Sequence, residues 1–181
     1  MKIVILGAGA VGSTLASLLS KENDLVVVDQ SSSELHRLEE EADIKTLIGG
    51  ASYPNILVNA GIQEADMVVA VTGSDETNIV SCMIAKVLNK SIKTIARVRE
   101  ISYLKGKTKE AMDSGEIPVD IHISPEQLIT EHIQGLIEIP GSLQVMEFGQ
   151  GKLNLVAVRA VEGGPMIGHE IGDLKKHMPK I

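Results

Sequence analysis

Short runs of aliphatic residues alternate along the chain with longer segments whose apolar residues recur every three or four positions. Several of the short runs are apolar throughout, which is typical of strands buried on both faces of a parallel sheet. They fall at residues 2–6, 25–29, 44–48, 67–72, 94–98 and 119–123. We therefore predict a Rossmann-like, doubly wound α/β domain with a six-stranded parallel sheet over residues 1–123.

The segments between the predicted strands carry helix boundary signals. Ser31 and Glu34 have the spacing of a capping box. Pro54 suits the first position of a short helix that Gly61 ends. Residues 75–90 carry a stripe of apolar residues at helical spacing, which is predicted to face the core. The stripe consists of Ile79, Val80, Met83, Ile84, Val87 and Leu88.

The pattern changes after residue 123. A helix is predicted over residues 124–140, starting at Ser124-Pro125 and ending at Pro140-Gly141. Its apolar face needs a partner, and both a second subunit and the chain's own core remain open. Two strands, at 143–148 and 153–161, then predict a β-hairpin, followed by a last helical segment that ends near Pro179. We expect residues 141–181 to be an incomplete second unit.

Composition and charge narrow the function classes. The net charge of −7 and the 2% aromatic content disfavour nucleic-acid binding, because phosphates are repelled and stacking platforms are few. Cys82 is the one cysteine and is predicted to be a buried packing residue. Residues 3–20 carry no charge, but glycines and hydroxyl side chains interrupt the run, so we expect a soluble protein with no membrane span or signal peptide here.

The uncharged opening contains a G-x-G-x-x-G motif that follows the first strand and opens a helix. Gly7 is suited to a tight turn, Gly9 to close approach of a phosphate, and Gly12 to packing of the helix on the strand. The N–H groups of the helix would then face a pyrophosphate. The predicted phosphate loop consists of Gly7, Ala8, Gly9, Ala10, Val11 and Gly12.

Further candidate ligand contacts lie at the ends of the later strands. Asp29 ends the second strand, where a carboxylate can accept hydrogen bonds from a ribose diol and repel a 2′-phosphate, which favours NAD over NADP. For Ser74 or Asp75, helix capping remains an open alternative to ligand contact. Gly49-Gly50-Ala51 ends the third strand, where it can approach an adenine without side-chain obstruction. The other candidates are Gln30, Thr72, Gly73, Asn78 and Arg97.

Groups that would catalyse a reaction are not identifiable. The five histidines of the sequence lack a shared metal-ligand spacing. The residues therefore predict a nucleotide-binding module with no catalytic residue and no metal site. An NAD-dependent dehydrogenase whose catalytic domain lies beyond residue 181 remains the alternative.

Several stretches together resemble the regulatory subunits of Trk-type potassium uptake systems, the TrkA family, which contain an RCK (or KTN) nucleotide-binding domain. Besides GAGAVG, they are VAVTGSDETNIVSCMIAK at 69–86, TIARVR at 94–99 and VDIHISPEQLITEHIQGLIEIPG at 119–141. Residues 151–179 are similar to the start of the family's C-terminal ligand-binding subdomain.

The resemblance implies a cytoplasmic protein, peripheral on the cytosolic face of the membrane, that gates a potassium transporter subunit when it binds NAD(H), ATP or ADP. It implies a homodimer through the helix at 125–139, and ring assembly. Two positions differ from the family's pattern. Gly50 stands where the family often has an acid, and Ala10 where some relatives have a phosphate-binding arginine. Ala10 favours a dinucleotide over ATP.

Overall fold

The structure of the chain, a computed structural model, describes residues 1–139, 141–148, 152–162 and 167–168. The chain divides into two units, Met1–Pro125 and Glu126–Ile181. Apart from residues 167–168, the predicted last helical segment lies outside the described residues, as do Pro140 and residues 149–151 of the predicted hairpin turn.

Parallel strands form the sheet of the first unit. They are β1 (Lys2–Leu6), β2 (Asp24–Asp29), β3 (Lys45–Ile48), β4 (Met67–Ala70), β5 (Lys93–Arg97) and β6 (Ile121–Ile123). Their order across the sheet is β3-β2-β1-β4-β5-β6, and every neighbouring pair is parallel. The chain thus starts at the centre, builds one half of the sheet, and returns to build the other half beside β1. This confirms the predicted Rossmann-like, doubly wound sheet.

Two strands of the sheet are two residues shorter than the sequence predicts. β4 ends at Ala70 instead of Thr72, because the Thr72 N–H donates to the side chain of Asn78 and leaves the ladder. β6 begins at Ile121 instead of Val119, because the Val119 N–H donates to the carbonyl of Ile117. In both cases a local hydrogen bond replaces pairing at the end of the strand.

Helices cover both faces of the sheet. They are α1 (Ala10–Leu19), α2 (Ser32–Glu41), α3 (Pro54–Asn59), α4 (Asp75–Leu88) and α5 (Gly106–Asp113). One apolar cluster contains Ala16 of α1 and Leu38 of α2; the other contains Leu57 of α3, Cys82 of α4 and Met112 of α5. The sheet is therefore buried on both sides, which explains the apolar strands. Helix α5 buries a single residue, Met112, so its sequence carries no apolar stripe.

The helix boundary signals are confirmed, with one difference in detail. Ser31 caps α2 by accepting a hydrogen bond from the Glu34 N–H at 3.4 Å. The reciprocal half of the capping box is absent, because the Ser31 N–H donates to Asp29 Oδ1 at 2.8 Å and the Glu34 carboxylate binds Arg37. Helix α3 begins at Pro54 as predicted.

The predicted core-facing stripe of α4 is only partly correct. Ile79 is buried, and Ile84 and Leu88 pack against the core. The side chains of Val80, Met83 and Val87 are exposed, with Val87 at 81% exposure. The buried face is centred instead on small or polar residues, which allow the helix to lie close to the sheet. They are Asn78, Ser81, Cys82 and Ala85.

The second unit contains most of a long helix and a β-hairpin, as predicted. The helix is α6 (Pro125–Glu138), and the antiparallel strands are β7 (Ser142–Phe148) and β8 (Leu153–Val158). A Cβ built on Gly135 of α6 would lie 3.2 Å from the side chain of Val145, so a glycine there allows the helix and the hairpin to approach closely. None of the helices in the described part of the chain is both long and apolar enough to cross a lipid bilayer.

Candidate functional site

A cleft of about 630 Å³ opens at the carboxyl ends of the strands, around the junction of β1 and β4. The strand order reverses at this junction, and open α/β sheets bind ligands at such a point. The structure brings most of the predicted site residues together here. The cleft is lined by Gly7, Gly9, Ala10, Val11, Asp29, Gln30, Ala51, Thr72, Gly73, Ser74 and Arg97. The other predicted residues, Ala8, Gly12, Gly50 and Asn78, are not among the lining residues.

The three motif glycines meet different constraints. Gly7 has a φ of +110°, and a Cβ there would lie 3.0 Å from the backbone of Val71 and Thr72. Glycine is therefore required for the turn and for the close approach of β1 to β4. A Cβ on Gly12 would overlap the Gly7 carbonyl oxygen, so α1 packs directly on the loop. Around Gly9 there is no atom within 4 Å of a built Cβ, which leaves room for a ligand.

Helix α1 begins at the cleft. Gly9 is its N-cap and supplies no side-chain hydrogen bond to the first turn. The first N–H groups of α1 and the positive end of its dipole are therefore available to an anion. A pyrophosphate over the loop would satisfy them.

The Asp29 carboxylate lies beside this loop at the end of β2. Its Oδ2 accepts a hydrogen bond from the Ala8 N–H at 2.7 Å, and its Oδ1 accepts one from the Ser31 N–H at 2.8 Å. Ala8 is fully buried, so its contribution is this backbone hydrogen bond. An ionised carboxylate has about four acceptor positions, which leaves two for a ribose diol. Asp29 thus holds the loop and faces the cleft at the same time.

The end of β3 places Gly49 and Ala51 in the cleft, while Gly50 lies beside it. A Cβ on Gly50 would lie 3.0 Å from the ring of Tyr53, and a Cβ on Gly49 would lie 2.6 Å from Ile56. Both glycines therefore accommodate the start of α3. Of the two, Gly49 is the one whose atoms border the space for a ligand, and the sequence did not distinguish it from its neighbour.

The turn between β4 and α4 forms another part of the lining. Ser74 is the N-cap of α4, and its Oγ accepts a hydrogen bond from the Thr77 N–H at 3.1 Å. The capping interpretation is therefore correct, and Ser74 also borders the cleft. Thr77 lines the cleft as well, although it was not predicted. Its position in the first turn of α4, just after the end of β4, was the sequence signal that could have indicated this contact.

Asn78 is fully buried beneath this turn. Its Oδ1 accepts hydrogen bonds from the Thr72 N–H at 2.9 Å and the Thr72 hydroxyl at 2.7 Å. Its Nδ2 donates to the carbonyl of Arg97 at 2.9 Å. The side chain thus joins the end of β4 to the end of β5 and holds Thr72 and Arg97, two residues of the cleft lining, in position.

Asp75 makes a second connection between the same two strand ends. Its Oδ2 accepts hydrogen bonds from the N–H groups of Arg99 at 2.8 Å and Glu100 at 2.7 Å. The Arg99 Nε lies 3.3 Å from Asp75 Oδ1, and its Nη2 donates to the carbonyl of Gly73. Burial by itself raises the pKa of Asp75, but the hydrogen bonds from Glu100 and Arg99 and the Arg99 charge together hold it below the ordinary value of 3.8.

The chemistry that the cleft offers is recognition of charge and hydroxyl groups. Asp29 and Arg97 are the two charged side chains among the described residues that line it. Cys82 is fully buried, as predicted, and burial with the nearby charge of Asp120 raises the pKa of its thiol to about 12. Such a thiol is not a nucleophile at neutral pH. Val28 and Val71 complete the lining beside the strand ends.

A sequence profile of the TrkA-N domain matches residues 3–124, about two thirds of the chain. The chain belongs to the TrkA-N domain family. The resemblance seen in the sequence is thereby confirmed.

Curated relatives match over the full length of this chain. The Trk system potassium uptake protein TrkA of Halomonas elongata is 49% identical over 182 residues, and that of Vibrio alginolyticus is 47% identical over 183. The alignments cover 100% of this chain and 39% and 40% of the two relatives. The chain therefore spans about two fifths of their length.

Solved structures share the fold at lower identity. The TrkA-N domain of the inner membrane protein ybaL from Escherichia coli has a TM-score of 0.62 and 21% identity, over 77% of this chain and 96% of that chain. The GsuK channel bound to NAD has a TM-score of 0.65 and 22% identity, over 96% of this chain and 30% of that one. GsuK bound to ADP has a TM-score of 0.59 and 22% identity, over 76% and 34%.

Proposed function

We propose that the chain is the nucleotide-binding part of a cytosolic regulatory subunit that gates a membrane potassium uptake system. The observation that carries the proposal is the meeting of the glycine loop and the Asp29 carboxylate in one cleft at the switch point of the sheet. The relatives that match the whole chain are potassium uptake proteins. The two charged side chains of the lining, Asp29 and Arg97, suit the binding of hydroxyl and phosphate groups, which supports a nucleotide that acts as a signal and a protein that is not an enzyme.

The proposed ligand is NAD(H), with ATP and ADP as alternatives. The first N–H groups of α1 suit the pyrophosphate, and the free acceptor positions of Asp29 suit the adenosine ribose. Ala10 adds no positive charge for a third phosphate, which favours the dinucleotide. GsuK, which shares the fold, has been solved both with NAD and with ADP.

The proposed partners are a second copy of the chain and a Trk-type transporter subunit. Helix α6 exposes Leu128, Ile129, Ile133 and Ile137 on one side. These residues recur at the spacing of one helical face, and burying such a face against its counterpart removes apolar surface from water. We assign residues 1–123 to the nucleotide-binding domain, 124–140 to the crossover helix that pairs two copies, and 141–181 to an incomplete C-terminal subdomain. The pairs would assemble further into a ring at the cytosolic face of the membrane.

Gating requires that the nucleotide bind one arrangement of the assembled subunits more tightly than another, because a ligand with equal affinity for both shifts nothing. A dinucleotide over the loop would contact the Asp29 side and the side formed by residues 72–74 and Arg97. The relative position of these two sides would then depend on the ligand. Helix α6 would transmit that difference to the paired copy and on to the transporter.

Calorimetric titration of the chain with NADH, NAD, ATP and ADP tests the nucleotide part of the proposal. We expect NADH and NAD to bind, and Asp29→Ala to lower the NADH affinity by about tenfold or more, since hydrogen bonds to a charged group contribute about 1.5–3 kcal/mol. Asp24→Ala is the matched control, because it removes the same charge at the other end of β2, outside the cleft. Absence of binding by all four nucleotides, or equal losses in the two variants, would overturn the assignment.

A further inference from the structure

The side of the cleft beyond the glycine loop is built from two separate stretches of chain. Residues 72–74 follow β4, and Arg97 ends β5. We call these residues the β4–β5 wall. The stretch 72–74 has left the sheet ladder, because the Thr72 N–H donates to the side chain of Asn78, whereas Arg97 still pairs with Ile123 of β6. Side chains of α4 and of the segment after β5 supply the missing connections.

Asn78 is the fixed anchor of the wall. It is fully buried, and its amide binds Thr72 on one side and the Arg97 carbonyl on the other. Since the amide oxygen accepts and the amide nitrogen donates, this side chain determines the spacing of the two strand ends. Both polar atoms of the Asn78 amide are hydrogen-bonded within the protein, so the side chain needs no ligand to hold it in place.

Asp75 and Arg99 form the outer connection. Asp75, which is 6% exposed, accepts hydrogen bonds from the N–H groups of Arg99 and Glu100. The Arg99 guanidinium extends from the segment after β5 to Asp75 and to the carbonyl of Gly73. Gly73 lines the cleft, whereas Asp75 and Arg99 do not. The pair therefore acts on the cleft through the turn that it holds.

The two halves of a dinucleotide would use different sides of this cleft. The adenosine ribose is assigned to Asp29, at the end of β2, and the pyrophosphate to the loop after β1. Because the strand order reverses between β1 and β4, the second half of the dinucleotide continues onto the β4 side, where the β4–β5 wall lies. A mononucleotide such as AMP would end over the loop and would not extend to the β4–β5 wall.

We propose that Asp75 and Arg99 are positioning residues that hold the β4–β5 wall in place for the second half of a dinucleotide, and so let the cleft distinguish NADH from AMP. This inference rests on the proposed nucleotide-binding function. Its consequence is that disturbing the pair lowers NADH affinity while leaving AMP affinity in place. A role in stability alone would leave the ratio of the two affinities unchanged.

The chain offers a matched control at the opposite end of the same helix. Lys86 of α4 forms an ion pair with Asp120 at 3.0 Å, and Asp120 also accepts a hydrogen bond from the Thr94 N–H at 2.7 Å on β5. This group connects α4 to β5 through partly buried charges, as Asp75 and Arg99 do, but it is not among the residues that line the cleft. Lys86→Gln therefore removes a similar connection away from the proposed ligand.

The test measures the dissociation constants of NADH and AMP by calorimetry for the wild-type chain and for Arg99→Gln, Asp75→Asn and Lys86→Gln, together with each melting temperature. Arg99 is 39% exposed, so its substitution leaves the core intact. Asparagine at 75 keeps an oxygen for the two N–H groups and removes the charge that faces Arg99. In Arg99→Gln and Asp75→Asn we expect the NADH affinity to fall about tenfold and the AMP affinity to stay within about twofold of the wild-type value.

Three results are informative. A selective loss of NADH affinity in Arg99→Gln and Asp75→Asn, with Lys86→Gln unchanged in both affinities, supports the inference. Lower melting temperatures in all three variants with an unchanged NADH-to-AMP ratio would overturn it, while wild-type binding leaves the proposed function intact. A wild-type chain that binds neither ligand overturns the proposed function and this inference with it.

Discussion

Asp29 and Ala8 are joined by a hydrogen bond of 2.7 Å from the Ala8 N–H to the carboxylate Oδ2, so the residue assigned to the ribose also anchors the phosphate loop. The second carboxylate oxygen is held by the Ser31 N–H. A side chain fixed at both oxygens cannot rotate away from an incoming charge. This arrangement has a direct consequence for the choice between NADH and NADPH.

We predict that the wild-type chain binds NADPH at least about tenfold more weakly than NADH, because the fixed Asp29 carboxylate faces the 2′-phosphate at close range. Competition titrations at one salt concentration measure the ratio. In Asp29→Ala the two ligands should approach equal affinity, since the charge that separates them is gone. Equal affinities in the wild-type chain would contradict the assignment of Asp29 to the ribose.

The glycine loop allows binding and folding to be separated with two equivalent substitutions. Gly9→Ala adds a methyl group where no atom lies within 4 Å, at a φ of −66° that alanine adopts freely. It should change the free energy of unfolding by no more than about 1 kcal/mol, because the loss of an N-cap glycine opposes the gain in backbone entropy, and it should block the phosphate approach. Gly12→Ala places the same methyl group against the Gly7 carbonyl and should destabilise the fold by about 1–3 kcal/mol or more.

Urea unfolding and NADH titration of both variants test this separation. The expected pattern is a stable Gly9 variant with at least about tenfold weaker NADH binding, and a Gly12 variant with a lower unfolding midpoint. A Gly9 variant that binds NADH as the wild type does would show that no phosphate approaches this part of the loop.

The sheet could be predicted from the sequence because its interior strands are covered on both faces. Val27 and Val28 are adjacent in β2 and both fully buried, so the run lacks polar alternation. The buried face of α4 could not be predicted in the same way, because Asn78 and Ser81 lie in it. Periodicity counts apolar residues, and these two polar side chains are buried only because hydrogen bonds satisfy them.

The candidate site was predictable where backbone geometry imposes a residue type. The turn requires glycine at position 7, and the contact between α1 and the loop requires it at position 12. Because no other residue type fits, these glycines are visible in the sequence as a motif. The choice between Gly49 and Gly50 was not predictable, because they are consecutive residues after the end of β3 and only the first borders the cleft. The contribution of Arg99 was equally hidden, since its partners Asp75 and Gly73 are distant in sequence.

Asp75 predicts how stability depends on acidity. Its pKa in the folded chain lies below the ordinary value of 3.8, so the unfolded chain binds the proton more readily. The stability that the carboxylate contributes is therefore present above about pH 4 and is lost as the pH falls through the folded pKa. We expect Asp75→Asn to cost about 2 kcal/mol at neutral pH. The difference from wild type should shrink below about pH 4.

Thermal melts of the wild-type chain and Asp75→Asn between about pH 7 and pH 3 measure this difference. Asp24→Asn is a suitable control, because it also replaces a carboxylate by an amide but lies at the exposed start of β2. Parallel curves for the wild type and Asp75→Asn across the whole range would show that the Asp75 charge does not stabilise the fold.

Ile133 on α6 tests the proposed pairing of two copies. Its side chain is 51% exposed, and its neighbours one turn away on the same face, Ile129 and Ile137, are exposed as well. Ile133→Glu would place a charge in the middle of the proposed contact, opposite the same charge of the partner copy. Because burying and opposing these charges is unfavourable, the dimer should dissociate at micromolar concentration. Gln127→Glu adds the same charge at an exposed polar position of α6 and should leave the dimer intact. Sedimentation equilibrium gives the mass of each variant, and an Ile133→Glu chain with the wild-type mass would place the contact between copies on another surface.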